Sequence, residues 1–292
     1  MNDTLKIAQI SDTHLFSDKN SLHCGANVYT NLVNVLQHIK QVEMPDAIIF
    51  TGDLTQDHTR GSYQQFVNAF QQANIQTPVY FIAGNHDEHA ELNHYLLKAP
   101  FNKAKNILHQ GSEWQILLVN SKSENPSGYI NKSALKELKE NIDPDKKQLI
   151  FMHHHPIDVG YFIDTHGVKN KNDFWQYIQP FKSIKALACG HVHNAISLLP
   201  VLLPVLVPVT MSSPVNKPKH TVNYKTEQTD YPLPLYTCPA TSIQFDTLAN
   251  TSKCNGQGAG YRVFELHNDG VHNNDSLVTR THFLGIKREE VQ

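Results

Sequence analysis

Cysteine is scarce: the 292-residue chain has four, Cys24, Cys189, Cys238 and Cys254, with no C-x-x-C spacing among them. This excludes a disulfide scaffold or a thiolate zinc ribbon and predicts four thiols, as a reducing, cytoplasmic compartment would keep them. An excess of one charge is also missing, since 25 Lys and Arg face 27 Asp and Glu for a formal net charge of -2. Without a basic field the chain is not built to hold a nucleic-acid polymer, and a small anionic partner fits better. Long hydrophobic runs are absent too. The most apolar stretch, Ile196 to Val209, is too short for a membrane span and is cut by Pro200, Pro204 and Pro208. The start, Met1-Asn2-Asp3-Thr4, runs straight into a strand pattern at Leu5, so no export signal is expected. Composition leaves the oligomeric state open, a dimer included.

What is present is a 40% hydrophobic content, enough for the core of one large domain spanning residues 1–292. Apolar runs at Ile7 to Ile10, Ala47 to Thr51, Val79 to Ala83, Leu149 to Met152 and Ile184 to Cys189 read as buried strands. Helical spacing lies between them, in Leu32, Val35, Leu36 and Ile39, then in Tyr63, Phe66, Val67 and Phe70. Asn106 to Gln110 and Trp114 to Asn120 read as strands, followed by helices around Leu135 and Leu138 and over Phe174 to Ile178. Residues 198–234 turn to Pro, Thr, Lys and Ser without a sustained period, which predicts an inserted loop. Beyond it, Leu235 to Cys238, Tyr261 to His267 and Leu277 to Phe283 read as strands, the last two joined by an Asn268-Asp269-Gly270 turn. Strands at both ends of the chain predict a mixed α+β fold, a two-sheet sandwich flanked by helices.

Five polar clusters sit where five of these strands end: Asp12-Thr13-His14, Gly52-Asp53, Gly84-Asn85-His86-Asp87, His153-His154-His155 and Gly190-His191-Val192-His193. Taken singly, each is as well explained by a turn or a surface histidine. Five in the same relation to five strands point to one sheet edge, where open α/β sheets bind ligands. Among the 18 histidines, His109, His220, His267, His272 and His282 stand outside the clusters and are expected at the surface. Asp, Asn and His form a borderline-hard oxygen and nitrogen donor set, suited to Mn, Fe or Zn. Alternation along extended backbone sends Asp12 and His14 to one side, and likewise His191 and His193. Asp53 has two oxygens and can bridge two ions, while Asn85 adds a neutral oxygen that does not repel a phosphate. Two ions about 3.5–4 Å apart can share a hydroxide and hold both oxygens of an in-line displacement. His86 is placed to assist the leaving oxygen, with Asp87 expected to orient it. Cys189, just before Gly190, is expected to be a buried core residue and not a ligand.

The pattern D-x-H, G-D, G-N-H-[DE], a further His and G-H-x-H resembles that of the calcineurin-like metallophosphoesterases. More narrowly it resembles bacterial class III 3',5'-cyclic AMP phosphodiesterases, through Ile10 to Phe16, Glu113 to Leu118, the triple His before Pro156, Ser242 to Phe245, Tyr261-Arg262 and Glu265 to His267. The likeness runs from Leu5 to about Thr281 and fails at 198–234. It implies a four-layer αββα sandwich holding two metal ions. One would be bound by Asp12, His14, Asp53 and His193, the other by Asp53, Asn85, His154 and His191. The family ligand lies two residues before the proline, which selects His154 with His153 as the alternative; His155 is then expected either to support the ligands from behind or to face substrate, as Asn85 and His86 do. The implied reaction is hydrolysis of a cyclic nucleotide, cyclic AMP foremost, to its 5'-monophosphate; the alternative is another phosphodiester or a phosphomonoester.

Overall fold

The computed structural model describes residues 4–198, 204–208, 224–228, 233–268 and 276–285. Two six-stranded mixed sheets dominate it. The first runs, edge to edge, Leu277–Phe283, Gly260–His267, Thr4–Ile10, Ala47–Phe50, Val79–Phe81 and Phe101–Asn102; the second Ser197–Leu198, Leu235–Thr237, Ile184–Cys189, Lys147–Met152, Trp114–Val119 and Asn106–Leu108. Each has a parallel centre, in which Thr4–Ile10, Ala47–Phe50 and Val79–Phe81 run together in one and Trp114–Val119, Lys147–Met152 and Ile184–Cys189 in the other. Antiparallel strands close three of the four edges, Leu277–Phe283, Ser197–Leu198 and Asn106–Leu108, while Phe101–Asn102 pairs parallel at the fourth.

Alternation of side chains explains the layers. Ile48 and Phe50 turn outward to a core shared with Leu32, Val35, Phe66 and Phe70 of the helices Val28–His38 and Arg60–Gln72. Ala47 and Ile49, which alternate with them in sequence, turn inward and meet Trp114, Ile116, Leu149 and Phe151 of the second sheet. The outer face of that sheet packs Ile150, Met152 and Leu187 against Leu135, Leu138, Phe174 and Ile178 of the helices Lys132–Asn141 and Lys171–Ile178. The result is the expected αββα sandwich. Polar staples also cross between the sheets. Buried Arg262 of the first donates to the carbonyls of Thr237 at 3.0 Å and Ile196 at 3.1 Å, and Trp114 Nε1 of the second donates to the His267 carbonyl at 3.0 Å.

Differences from the sequence reading are local. Short apolar content hid the helix His89–Tyr95 and the 3-10 turn Phe162–His166, each too brief to show a period. The segment expected as a loop carries an antiparallel ribbon, Pro204–Pro208 paired with Tyr224–Gln228, whose strand pattern the prolines masked. Asp269 and Gly270 of the expected hairpin turn lie outside the described residues. His267 is buried, not superficial, because its Nδ1 is paired with Thr4 Oγ1 at 2.8 Å across the sheet. The four-thiol expectation needs correcting as well: Cys24 and Cys254, 230 residues apart, are joined by a disulfide. Cys189 and Cys238 are buried free thiols, and burial pushes both thiol pKa values up. No helix among the described residues is long and apolar enough to cross a membrane.

Candidate metal centre

All five clusters gather where the C-terminal ends of the parallel strands meet. Their backbones are unusual. Asp12, His14, Asp53, His191 and His193 have φ of 55°, 43°, 57°, 64° and 52°, in the left-handed region that Asp and His tolerate better than most residues. The glycines allow close passage of neighbouring loops. A Cβ on Gly84 would lie 2.1 Å from Asp53 Oδ1, and one on Gly190 would lie 2.0 Å from Ser11 Oγ. Backbone bonds then lace the loops together, from Asp12 N–H to the Gly52 carbonyl at 2.9 Å and from His14 N–H to the Asp53 carbonyl at 3.1 Å. Across the sheets, the His191 N–H donates to both Asp12 oxygens at 3.0–3.1 Å.

Carbonyl acceptors fix which ring nitrogens are left for a ligand. His193 Nδ1 donates to the Ile243 carbonyl at 2.8 Å, which turns its Nε2 towards His14 Nε2, 3.1 Å away, and Asp12 Oδ1, 3.5 Å away. His153 Nδ1 donates to the Thr51 carbonyl at 2.8 Å, and its Nε2 sits 3.1 Å from Asn85 Oδ1 and 3.4 Å from Asp53 Oδ2. His154 is differently committed: Nδ1 is 2.9 Å from Ser121 Oγ and Nε2 donates to the Pro126 carbonyl at 3.1 Å. The runner-up of the sequence reading thus has its Nε2 beside Asp53 and Asn85, while the first choice meets Ser121 and Pro126; both nevertheless offer ligand atoms within 4.8 Å of each other and of His191.

Electrostatics follow from burial and pairing. Burial holds His14, His154 and His191 well below the usual histidine range, so they are neutral donors. Burial opposes a charge on His153 too, but Asp53, Asp12 and the Thr51 carbonyl outweigh it and lift the pKa to about 9. Asp53 is correspondingly held well below the carboxylate range: burial opposes its charge, and the His153 charge and hydrogen bond overcome it.

Two further expectations are corrected. Asp87 does not touch the His86 ring; its carboxylate accepts from the N–H groups of Asp53 at 2.8 Å, Leu54 at 2.8 Å and Gly84 at 2.9 Å, and so ties two clusters together. Burial and the Asp53 charge still push its pKa up to about 6. Of the two places open to His155, the substrate-facing one is not seen: the residue is buried, its ring stacks on His191 at 5.8 Å, and its Nε2 lies 3.2 Å from Asp164 Oδ1. His86 and Asn85 do line the cavity, which holds about 300 Å³ and also exposes His14, Asp53, His191 and His193. The His86 ring stacks on His58 at 5.2 Å, and burial lowers its pKa.

The donor set fits metal ions. Four groups have ligand atoms within 4.8 Å of one another among the described residues: His153, His154 and His191; Asp12, His14 and His193; His14, Asp53 and His86; and Asp12, Asp53 and His153. His14 Nδ1, His86 Nδ1 and His191 Nε2 are buried without a hydrogen-bond partner, a cost that a bound ion would offset where a lone pair faces it. Residue type alone could not find the rest of the site. The acceptors at Thr51 and Ile243 are carbonyls, and the cavity wall is formed by His23, Phe162 and Phe245, which belong to no cluster. Only the Leu22-His23-Cys24-Gly25 turn left a faint hairpin signal.

The sequence profile of the calcineurin-like phosphoesterases matches residues 5–195. The chain belongs to that family. It is 46% identical over 277 residues to a probable cyclic nucleotide phosphodiesterase of Colwellia psychrerythraea, covering 95% of this phosphoesterase and 96% of the relative. It is 30% identical to the 3',5'-cyclic adenosine monophosphate phosphodiesterase CpdA of Haemophilus influenzae, over 91% of this chain and 87% of the other. A dimetal phosphatase from Danio rerio has the same fold, with a TM-score of 0.53 and 10% identity over 94% of this chain and 98% of that one. The phosphoesterase is thus a metal-dependent enzyme of the αββα class.

Proposed function

We propose that the enzyme hydrolyses 3',5'-cyclic nucleotides, cyclic AMP foremost, to 5'-monophosphates with two metal ions. The observation that carries this reading is the set of donor groups converging on one pocket, with Asp53 shared by two of them. The names of the relatives support the substrate class. Asp12, His14, Asp53 and His193 would hold one ion; Asp53, Asn85, His191 and His153 the other, with His153 taking the place that the resemblance gave to His154. When bound, such ions, Fe, Mn or Zn by donor type, lower the pKa of water and neutralise charge on a phosphate. The chain's own residues do the rest. The Thr51 and Ile243 carbonyls orient His153 and His193. Asp87 holds the Asp53 and Gly84 loops at their spacing. His86 lines the cavity and offers a ring N–H to the leaving 3'-oxygen.

Action in the cytoplasm on a small molecule, without a nucleic-acid polymer, belongs to this reading, as does one domain over residues 1–292 with 198–234 inserted. The test is a substrate panel with metal-reconstituted enzyme: 3',5'-cyclic AMP, cyclic GMP, 2',3'-cyclic nucleotides, a simple aryl diester and an aryl monoester. Highest kcat/KM on 3',5'-cyclic AMP is expected. Turnover of the diester or the monoester with none of any cyclic nucleotide would sink it.

A further inference from the structure

The cavity floor reads phosphate, so discrimination between phosphodiesters must come from its walls. One wall is apolar: Phe245 stacks on His193 with centroids 4.0 Å apart and an interplanar angle of 12°, and Phe162 meets Phe245 edge-on at 5.2 Å. His23 is part of the same lining, from a different part of the chain. It sits on a two-strand hairpin, Leu22–His23 with Ala26–Asn27, whose turn residues Cys24 and Gly25 have φ of 49° and 78°. Positive φ at both central positions is the geometry of a tight hairpin turn, which fixes where His23 projects. Its ring lies 5.7 Å from that of His14 and 6.4 Å from that of Phe16. Its Nδ1 is buried and has no hydrogen-bond partner among the described residues.

A buried polar nitrogen with nothing to bond is costly, and a ligand that supplies a partner recovers that cost. The ligand must also match what stands beside it. A flat ring against Phe162 and Phe245, joined to a group rich in hydroxyls and ring nitrogens, is the description of a nucleoside. The two walls are covalently linked. Cys24 follows His23, Cys254 bridges to Phe245 in a β-pair, and the Cys24–Cys254 disulfide closes the gap between them. A hydrogen-bonding group and an apolar wall are therefore held at a set spacing around the phosphate floor.

We propose that His23 is a specificity-determining residue that hydrogen-bonds the nucleoside part of the substrate in the cavity it shares with the Phe162–Phe245 wall. This rests on the cyclic-nucleotide reading but is separable from it. The experiment compares wild type, His23→Phe and His23→Gln on 3',5'-cyclic AMP and on bis(4-nitrophenyl) phosphate, with metal content measured for each. The Ki of 5'-AMP against diester turnover is read in parallel. In His23→Phe, the KM for cyclic AMP and the Ki of 5'-AMP are expected to rise about tenfold more than the diester KM, the worth of one hydrogen bond of about 1.4 kcal/mol. His23→Gln, which keeps a donor and an acceptor, should recover part of the loss at unchanged metal content. Equal effects on nucleotide and diester, or no effect on either, would overturn the proposal, as would a wild type that 5'-AMP does not inhibit. If the wild type turns over no cyclic nucleotide yet 5'-AMP inhibition weakens in His23→Phe, the substrate reading fails and this one stands.

Discussion

The two sheets contribute different chemistry to one site. Strand ends of the first supply the oxygen donors, Asp12, Asp53 and Asn85, while those of the second supply only imidazoles, His153, His154, His191 and His193. The carboxylates thus lie on one half, together with His14 and His86, and the other half offers imidazoles alone. The seam between them is sealed by backbone: the His191 N–H on Asp12, and the Thr51 carbonyl on His153. Asp53 stands at that seam, facing His14 from its own sheet and His153 from the other.

The sharpest way to break this comparison is at Asp53. Asp53→Ala should abolish turnover and reduce bound metal together, because it removes the oxygen donor shared by the two proposed ligand sets and leaves the His153 charge buried without its partner. A fully active variant with less metal would break the argument. His86 stands outside the two proposed ligand sets, so His86→Ala should keep metal content while kcat falls by roughly 10²–10⁴, the range of acid-base catalysis. Arg262→Leu tests the seam away from the site: the Thr237 carbonyl loses the Arg262 donor and the Ile196 carbonyl keeps only the Thr237 N–H, so unfolding free energy should fall by about 2 kcal/mol in urea denaturation.

Titration gives a subtler contrast. In metal-stripped protein the His153 pKa, raised to about 9 from 6.5, contributes stability that is full below pH 6.5 and lost as pH rises to 9. The lowered pKa values of His14 and His191 act the other way, with stability lost as pH falls below 6.5. Thermal melts of the stripped protein should therefore decline from pH 6.5 towards 9, and His153→Asn should flatten that limb. The smallest effect is expected far from the seam: Lys136→Ala breaks an exposed i,i+4 pair with Glu140 and should shift stability by no more than about 0.5 kcal/mol.

Much of the first sheet and of the donor set was legible because it rests on local pattern. Ile48 and Phe50 alternate with Ala47 and Ile49, and Asp12, Asp53, Asn85, His191 and His193 follow strands directly. What stayed hidden depends on groups distant in sequence. Choosing between His153 and His154 requires knowing that the Thr51 carbonyl lies beside one and the Pro126 carbonyl beside the other. Asp87 next to His86 suggested an orienting pair, yet three N–H groups from two loops claim its carboxylate. The Cys24–Cys254 pairing spans 230 residues, and no spacing rule reaches that far.

That bridge also changes what it takes to cut the molecule apart. Cys24 and Cys254 turn everything between them, the ribbon of 204–208 and 224–228 included, into a closed covalent ring. The strands Thr4–Ile10 and Gly260–His267 are the two ends leaving the ring, and they lie side by side in one sheet. A protease that nicks the ring once releases no fragment until a reductant opens the bridge, so a nicked chain would keep its full mass on a non-reducing gel and split into two bands on a reducing one.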